Sequence, residues 1–234
     1  MHLRLLAFAA LALAAPATAA NRNFGIQDFD RIRVAGPFKV QLVTGVAPFA
    51  KATGASDAID DISIEVQGRT LVVQQNASSW SSFPGRDSGP VTISIGTHDL
   101  SAAWLNGSGS LSIDHVKAPS FEMTVQGAGS ASVGNIAVDT LKVGISGSGD
   151  VTIAGAAPQL TANLFGASTF DGAALTAKDA AIGAQGTAVL KLTATDAVKI
   201  DAEGPVTLTF SGNPACTLRS QGPADVTGCR SEAP

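Results

Sequence analysis

Leu141-Lys142-Val143-Gly144-Ile145-Ser146-Gly147-Ser148-Gly149-Asp150-Val151-Thr152-Ile153 decides the fold. Apolar residues stand two apart on both sides of a Gly-Ser-Gly centre, the period of two short strands joined at a tight corner. The frame recurs with central glycines at Gly107, Gly127, Gly147, Gly166, Gly186, Gly204 and Gly222, spaced 20, 20, 19, 20, 18 and 18 residues apart. A fixed short period is the signature of a stacked array, in which each repeat buries its apolar face only against its neighbours.

Aligning the repeats on their glycines separates inward from outward positions. Four and two residues before the glycine stand Ala103 and Leu105, Met123 and Val125, Val143 and Ile145, Ala162 and Leu164, Ile182 and Ala184, and Ile200 and Ala202. Four and six residues after it stand Leu111 and Ile113, Ala131 and Val133, Val151 and Ile153, Leu190 and Leu192, and Leu208 and Phe210. The copy at Gly166 departs, with Phe170 and then Gly172 at an inward position. The residue after each glycine is Ser108, Ala128, Ser148, Ala167, Thr187, Pro205 or Pro223, small or turn-compatible as stacked corners require. Propeller blades need four strands and about 40 residues each. The expected fold is therefore all-β, a right-handed parallel β-helix or solenoid of six or seven rungs with about 20 residues each.

The N-terminal part follows the frame loosely. Ile32, Val34, Gly36, Val40 and Leu42 match one copy, whereas Ile62 to Val73 reads either as a copy with its second strand shifted or as a hairpin turning at Gly68. This region is expected to form an irregular β cap, because an uncovered first rung would leave backbone groups unpaired. The expected organisation is a signal peptide at 1–20 and one domain at 21–234, with cap strands at 21–75, a polar loop at 76–90 and regular rungs at 91–234.

The first twenty residues carry Arg4, an apolar stretch from Leu5 to Ala15 and small residues around Ala17-Thr18-Ala19, the pattern of an export signal. No later stretch has the roughly 20 apolar residues of a spanning helix. Losing Arg4 with the signal moves the formal charge from -4 to -5. With no cluster of Lys or Arg, nucleic acid is an unsuitable partner. Cys216 and Cys229, with twelve residues between them, read as a disulfide formed in an oxidising compartment. They lack the close spacing of a redox motif and the His companions of a metal site.

The order of Phe29-x-x-Ile32-x-Val34-x-Gly36-x-Phe38-x-Val40, then Gly68-Arg69-Thr70-Leu71-Val72-Val73, then the Gly-Ser-Gly copies at Gly107 and Gly147, resembles the autotransporter-adhesin head GIN domain family. The resemblance spans nearly the whole mature chain. It implies an exported β-helical domain with no catalytic residues to carry over.

Asp150 stands alone among its neighbouring copies, which place Ser110, Ser130, Thr169, Val189 and Thr207 at that position, with Asp225 only in the last copy, so the column cannot build the multi-oxygen shell of calcium. The positions three and five before the glycine hold no adjacent acids, as a lyase or hydrolase on this scaffold would need. His98 and His115, each beside an aspartate in sequence, read as surface residues, and no nucleophile elbow is present. No catalytic residue, metal ligand or cofactor is therefore expected. The candidate ligand-binding residues are Trp80, Phe83 and Arg86 in the polar loop, with the outward Trp104; they form either a recognition site or a small cluster in which the loop covers Trp104. The expected function is that of a non-catalytic exported envelope protein, periplasmic or secreted, that binds an envelope polysaccharide or another envelope protein, or is a structural element. The alternative is a carbohydrate-active enzyme sited near the Trp80 to Arg86 loop. A unit stacking end to end is the third reading, disfavoured by the stapled last repeat.

Overall fold

The computed structural model describes residues 20–76 and 91–230. These form a β-solenoid whose regular coils begin at β8 (Ala102–Gly107) and run through β9 (Ser110–Gly127), β10 (Ser130–Gly147), β11 (Asp150–Ala156), β12 (Gln159–Gly166), β13 (Thr169–Gln185), β14 (Ala188–Glu203), β15 (Val206–Ser211), β16 (Ala215–Gln221) and β17 (Ala224–Thr227). Successive coils pair in parallel, and like positions meet like: Val143 pairs with Met123 and Ala162, and Val133 with Ile113 and Ile153. The inward columns are buried from Ala103 and Leu105 through Leu208 and Phe210.

Corners explain the glycine column. Gly147 has a φ of 113°, a region that L side chains rarely adopt, and a Cβ there would lie 2.5 Å from the carbonyl oxygen of Gly127 in the coil below. The Ser148 N–H donates to that same carbonyl at 2.9 Å, so the hydrogen-bond ladder continues around the bend. Backbone therefore packs on backbone here, and any side chain would break the ladder.

Each coil also has a third, shorter side that the two-strand reading did not contain. His115–Ala118 pairs with Asn135–Val138, and inward residues Val116, Ile136, Leu175, Ala177 and Ala194 line it, all at most 1% exposed. Its variable length reconciles unequal spacings with an unbroken core. Register shifts fall between Val133 and Ile136 where the 19-residue coil stacks, and between Gly172 and Thr176 farther along, while the ladders on either side of the glycines stay in phase.

The irregular copy at Gly166 is internally compensated. Phe170 is fully buried, and a Cβ built on Gly172 would stand 3.2 Å from two atoms of its ring. The phenyl group occupies the volume that an aliphatic side chain fills two residues later in other coils.

At the N-terminal end, spatial order departs from chain order. β2 (Arg31–Ala35) and β3 (Lys39–Thr44) form a coil of the cap that turns at Gly36 and lies directly under β8 and β9, with Ile32 on Ala103, Val34 on Leu105 and Val40 on Leu111. Beneath them lie not preceding residues but later ones, β6 (Thr70–Gln75) and β7 (Thr92–Thr97), also in parallel. Antiparallel strands then close this end: β5 (Ile62–Gln67) on β6, β4 (Phe49–Gly54) on β7, and β1 (Ala20–Phe24) on β4, with α1 (Ser56–Asp60) beside β4 and β1. Of the two readings for Ile62 to Val73, the hairpin is the one adopted: Gln67 pairs with Thr70 across Gly68 and Arg69. Reversing strand direction ends the parallel stack and covers its first coil, as the edge argument requires.

The other end is fastened differently. Cys216, stacked on Val198 at an inward position, is bonded to Cys229 across 13 positions of sequence, closing the last coil on itself.

Candidate functional site

Outward side chains project at intervals of one coil, about 4.8 Å, so neighbouring ladders make a grid. On the face before the corner, one ladder carries Asn163, Gly183, Asp201 and Arg219, and the next carries Phe165, Gln185, Glu203 and Gln221. Together they line a groove of about 540 Å³ across β12, β13, β14 and β16. Gly183 forms its floor; a Cβ there would sit 2.9 Å from Oδ1 of Asn163. Phe165, 43% exposed, supplies an apolar wall in a position where other coils carry polar side chains.

Within the described residues, no side-chain hydrogen bond or ion pair joins Asn163, Gln185, Asp201, Glu203, Arg219 or Gln221 to a protein partner. Their donors and acceptors face the groove unengaged. Asp201 and Glu203 project from the same face of β14 because they are two apart on one strand. In the repeat frame the two acids fall in different columns, three and one before the glycine, so comparison of like positions between repeats does not bring them together.

The aromatic candidates are only partly placed. Trp104 lies half-buried on β8, with the Arg33 guanidinium of the neighbouring β2 5.7 Å from its ring, a cation–π contact across the ladder. Val72, one strand farther along that ladder, is outward yet only 8% exposed. Trp80, Phe83 and Arg86 lie outside the described residues, as does the expected export signal up to Ala19.

His98 and His115 sit in polar contacts between segments. His98 Nδ1 is 3.2 Å from Asp28 Oδ1, so its partner is not the adjacent Asp99. His115 Nδ1 is 2.8 Å from Asp114 Oδ2, while Asp114 Oδ1 accepts the backbone N–H groups of His115 and Thr44 at 2.7 and 3.0 Å. Thr44 returns a hydroxyl hydrogen bond to the His115 carbonyl at 2.7 Å. Burial pushes the Asp114 carboxyl upward, but these hydrogen bonds and the nearby imidazole outweigh it and hold the group below its ordinary value. The cluster ties β3 to β9 and is structural.

Among the described residues, no group of three His, Cys, Asp or Glu side chains is arranged to hold a metal ion. No helix there is long and apolar enough to cross a membrane.

Comparison with solved structures finds the same fold in bacterial proteins. A protein described as a putative adhesin from Bacteroides fragilis matches with a TM-score of 0.82 at 17% identity, over 89% of this chain and 96% of that one. A putative adhesin from Parabacteroides merdae matches at 0.65 and 16% identity, over 90% and 96%. A putative lipid binding protein from Parabacteroides distasonis matches at 0.65 and 18%, again over 90% and 96%. At such identities the likeness is one of fold. Comparison with curated proteins finds no match. The family model described as "Putative auto-transporter adhesin, head GIN domain" matches residues 28–214, most of the solenoid and its cap, and the chain belongs to that family.

Proposed function

We propose that this chain is an exported, non-catalytic binding module of the cell envelope, recognising a surface polysaccharide or another envelope protein. The observation that carries the reading is the groove around Phe165, where six polar side chains converge on a stiff parallel sheet without partners among the described residues. Membership of an adhesin-described family supports binding over catalysis. The disulfide and the signal-like first twenty residues support export to the periplasm or beyond, with residues 21–234 as one domain. Trp104, together with Trp80, Phe83 and Arg86, is proposed as a second contact surface.

A carbohydrate-active enzyme is the second reading, favoured by Asp201 and Glu203. The Cα atoms of residues two apart on one strand are about 7 Å apart, so two side chains on that face can reach the carboxylate separation of inverting glycosidases. Incubating the mature protein with purified envelope polysaccharides and envelope proteins tests both readings. Retention of a polymer without release of reducing or unsaturated ends supports the binding module; released ends would replace it with the enzyme. Loss of retention in Trp104→Ala would assign the second surface, and unchanged retention would remove it.

A further inference from the structure

We infer that the groove on β12, β13, β14 and β16 is a subsite for neutral, hydroxyl-rich sugar residues of a polymer lying along the solenoid axis. This deepens the binding-module reading and rests on it.

The side-chain chemistry selects the ligand class. Phe165 offers an exposed flat apolar ring, able to cover the C–H face of a pyranose. Around it stand two kinds of planar polar group, amides at Asn163, Gln185 and Gln221 and charged forks at Asp201, Glu203 and Arg219. Such groups match pairs of neighbouring hydroxyls, which donate and accept at once. Gly183 leaves the floor open to a ring that a side chain there would exclude. Four coils span about 14 Å, so one polymer can meet equivalent positions at successive steps.

Charge and topology exclude the competing classes. Two carboxylates face one guanidinium, so a uronate polymer would meet net repulsion. The groove lies on a sheet face whose backbone groups are already paired between coils, so it offers no free edge on which a peptide could add a strand.

The test titrates the mature full-length protein with chitohexaose, mannohexaose and hexagalacturonate by calorimetry and maps contacts by amide chemical-shift changes. Saturable binding of a neutral hexasaccharide is expected, at least tenfold tighter than hexagalacturonate, with shifts centred on Gly183 and Phe165. Phe165→Ala and Gly183→Leu should each weaken it tenfold or more, while Thr152→Ala, on another face, leaves it unchanged. Asp201→Asn combined with Glu203→Gln should raise hexagalacturonate affinity at least fivefold. Circular dichroism establishes that each variant is folded, and the wild-type shift map locates the site even where a variant is not. Neutral-sugar binding that maps elsewhere or ignores these substitutions overturns the groove assignment and leaves the binding module standing. Groove-dependent binding of a peptidoglycan stem pentapeptide, with no sugar binding, overturns the ligand class. Absence of binding to every probe overturns the subsite, and absence of retention by every envelope polymer and protein overturns the module as well.

Discussion

Phe170 and Gly172 make a quantitative test of the compensated coil. Replacing Phe170 with Val, the residue at the equivalent place in the preceding coil, removes most of a fully buried ring and leaves a void that the rigid stack cannot collapse, because the coils above and below fix its height. Aromatic-to-alanine changes in cores cost about 3–5 kcal/mol, so retaining the valine methyls leaves a loss of about 2–3 kcal/mol. Gly172→Ile alone inserts a side chain where its Cβ already stands 3.2 Å from the Phe170 ring and 3.2 Å from the Lys191 carbonyl, an overpacking cost of about 1–3 kcal/mol. The double variant recreates the Val-x-Ile pair of Val151 and Ile153 and should lie within about 1 kcal/mol of wild type, because the new isoleucine fills the void left by the ring. The coupling in a double-mutant cycle is therefore expected to be at least about 2 kcal/mol and favourable. Urea denaturation followed by circular dichroism, with the disulfide intact, measures all four proteins. Additive losses in the double variant would refute the claim that the ring substitutes for the missing side chain.

Three further outcomes follow from the corners, the staple and the polar lock. Gly147→Ala should cost at least about 2 kcal/mol in denaturation, since it combines backbone strain with displacement of the Gly127 carbonyl, whereas Gly144→Ala, whose Cβ would meet only the Thr124 side chain at 3.6 Å, should change stability by no more than about 0.5 kcal/mol. Cys216→Ser with Cys229→Ser should cost up to about 3 kcal/mol, and hydrogen exchange should accelerate in β16 and β17 while β10 keeps its protection. Because the Asp114 carboxyl is held below its ordinary value in the folded chain, its contribution is present at neutral pH and lost as pH falls through the folded-state value; Asp114→Asn should flatten that acid limb of the stability profile, and an unchanged slope would contradict the assignment.

Much of the architecture is legible in the chain because a solenoid repeats one physical problem. Each coil must present alternate apolar residues inward and a side-chain-free corner to its neighbour, so Gly147 and Val143 carry the same information as Gly127 and Met123. The third side escaped because its length varies, and residues such as Ile136 and Leu175 fall out of phase with the glycine frame. The interleaving of β2 and β3 between β6 and β8 escaped for a different reason. Parallel pairing depends on matching faces, and Ile32 and Val34 match both Leu71 and Val73 and Ala103 and Leu105 equally well by pattern. At the groove, Phe165 is the one apolar residue and Glu203 the one charged residue in a column that otherwise holds Asn106, Gln126, Ser146, Gln185 and Gln221. What makes them a site is the proximity of four coils, which emerges only once the register across strands is known.

The interleaved N-terminal end gives assembly of the solenoid a direction. Joining β2 to β6 closes a span of about 40 residues, and joining β2 to β8 one of about 70, whereas each later coil lands on its predecessor after about 20. With loop-closure cost growing as the logarithm of length, these early closures are dearer by about 0.6–1.1 kcal/mol than each later one. The cap strands β2, β3, β6 and β7 can pair among themselves before β8 and the coils after it exist, and once paired they offer the parallel edge of β2 and β3 as a template, with antiparallel strands packed on the opposite side. Growth is then a zipper that advances coil by coil toward Cys216, and the covalent bond to Cys229 is the latch that stops it from running back.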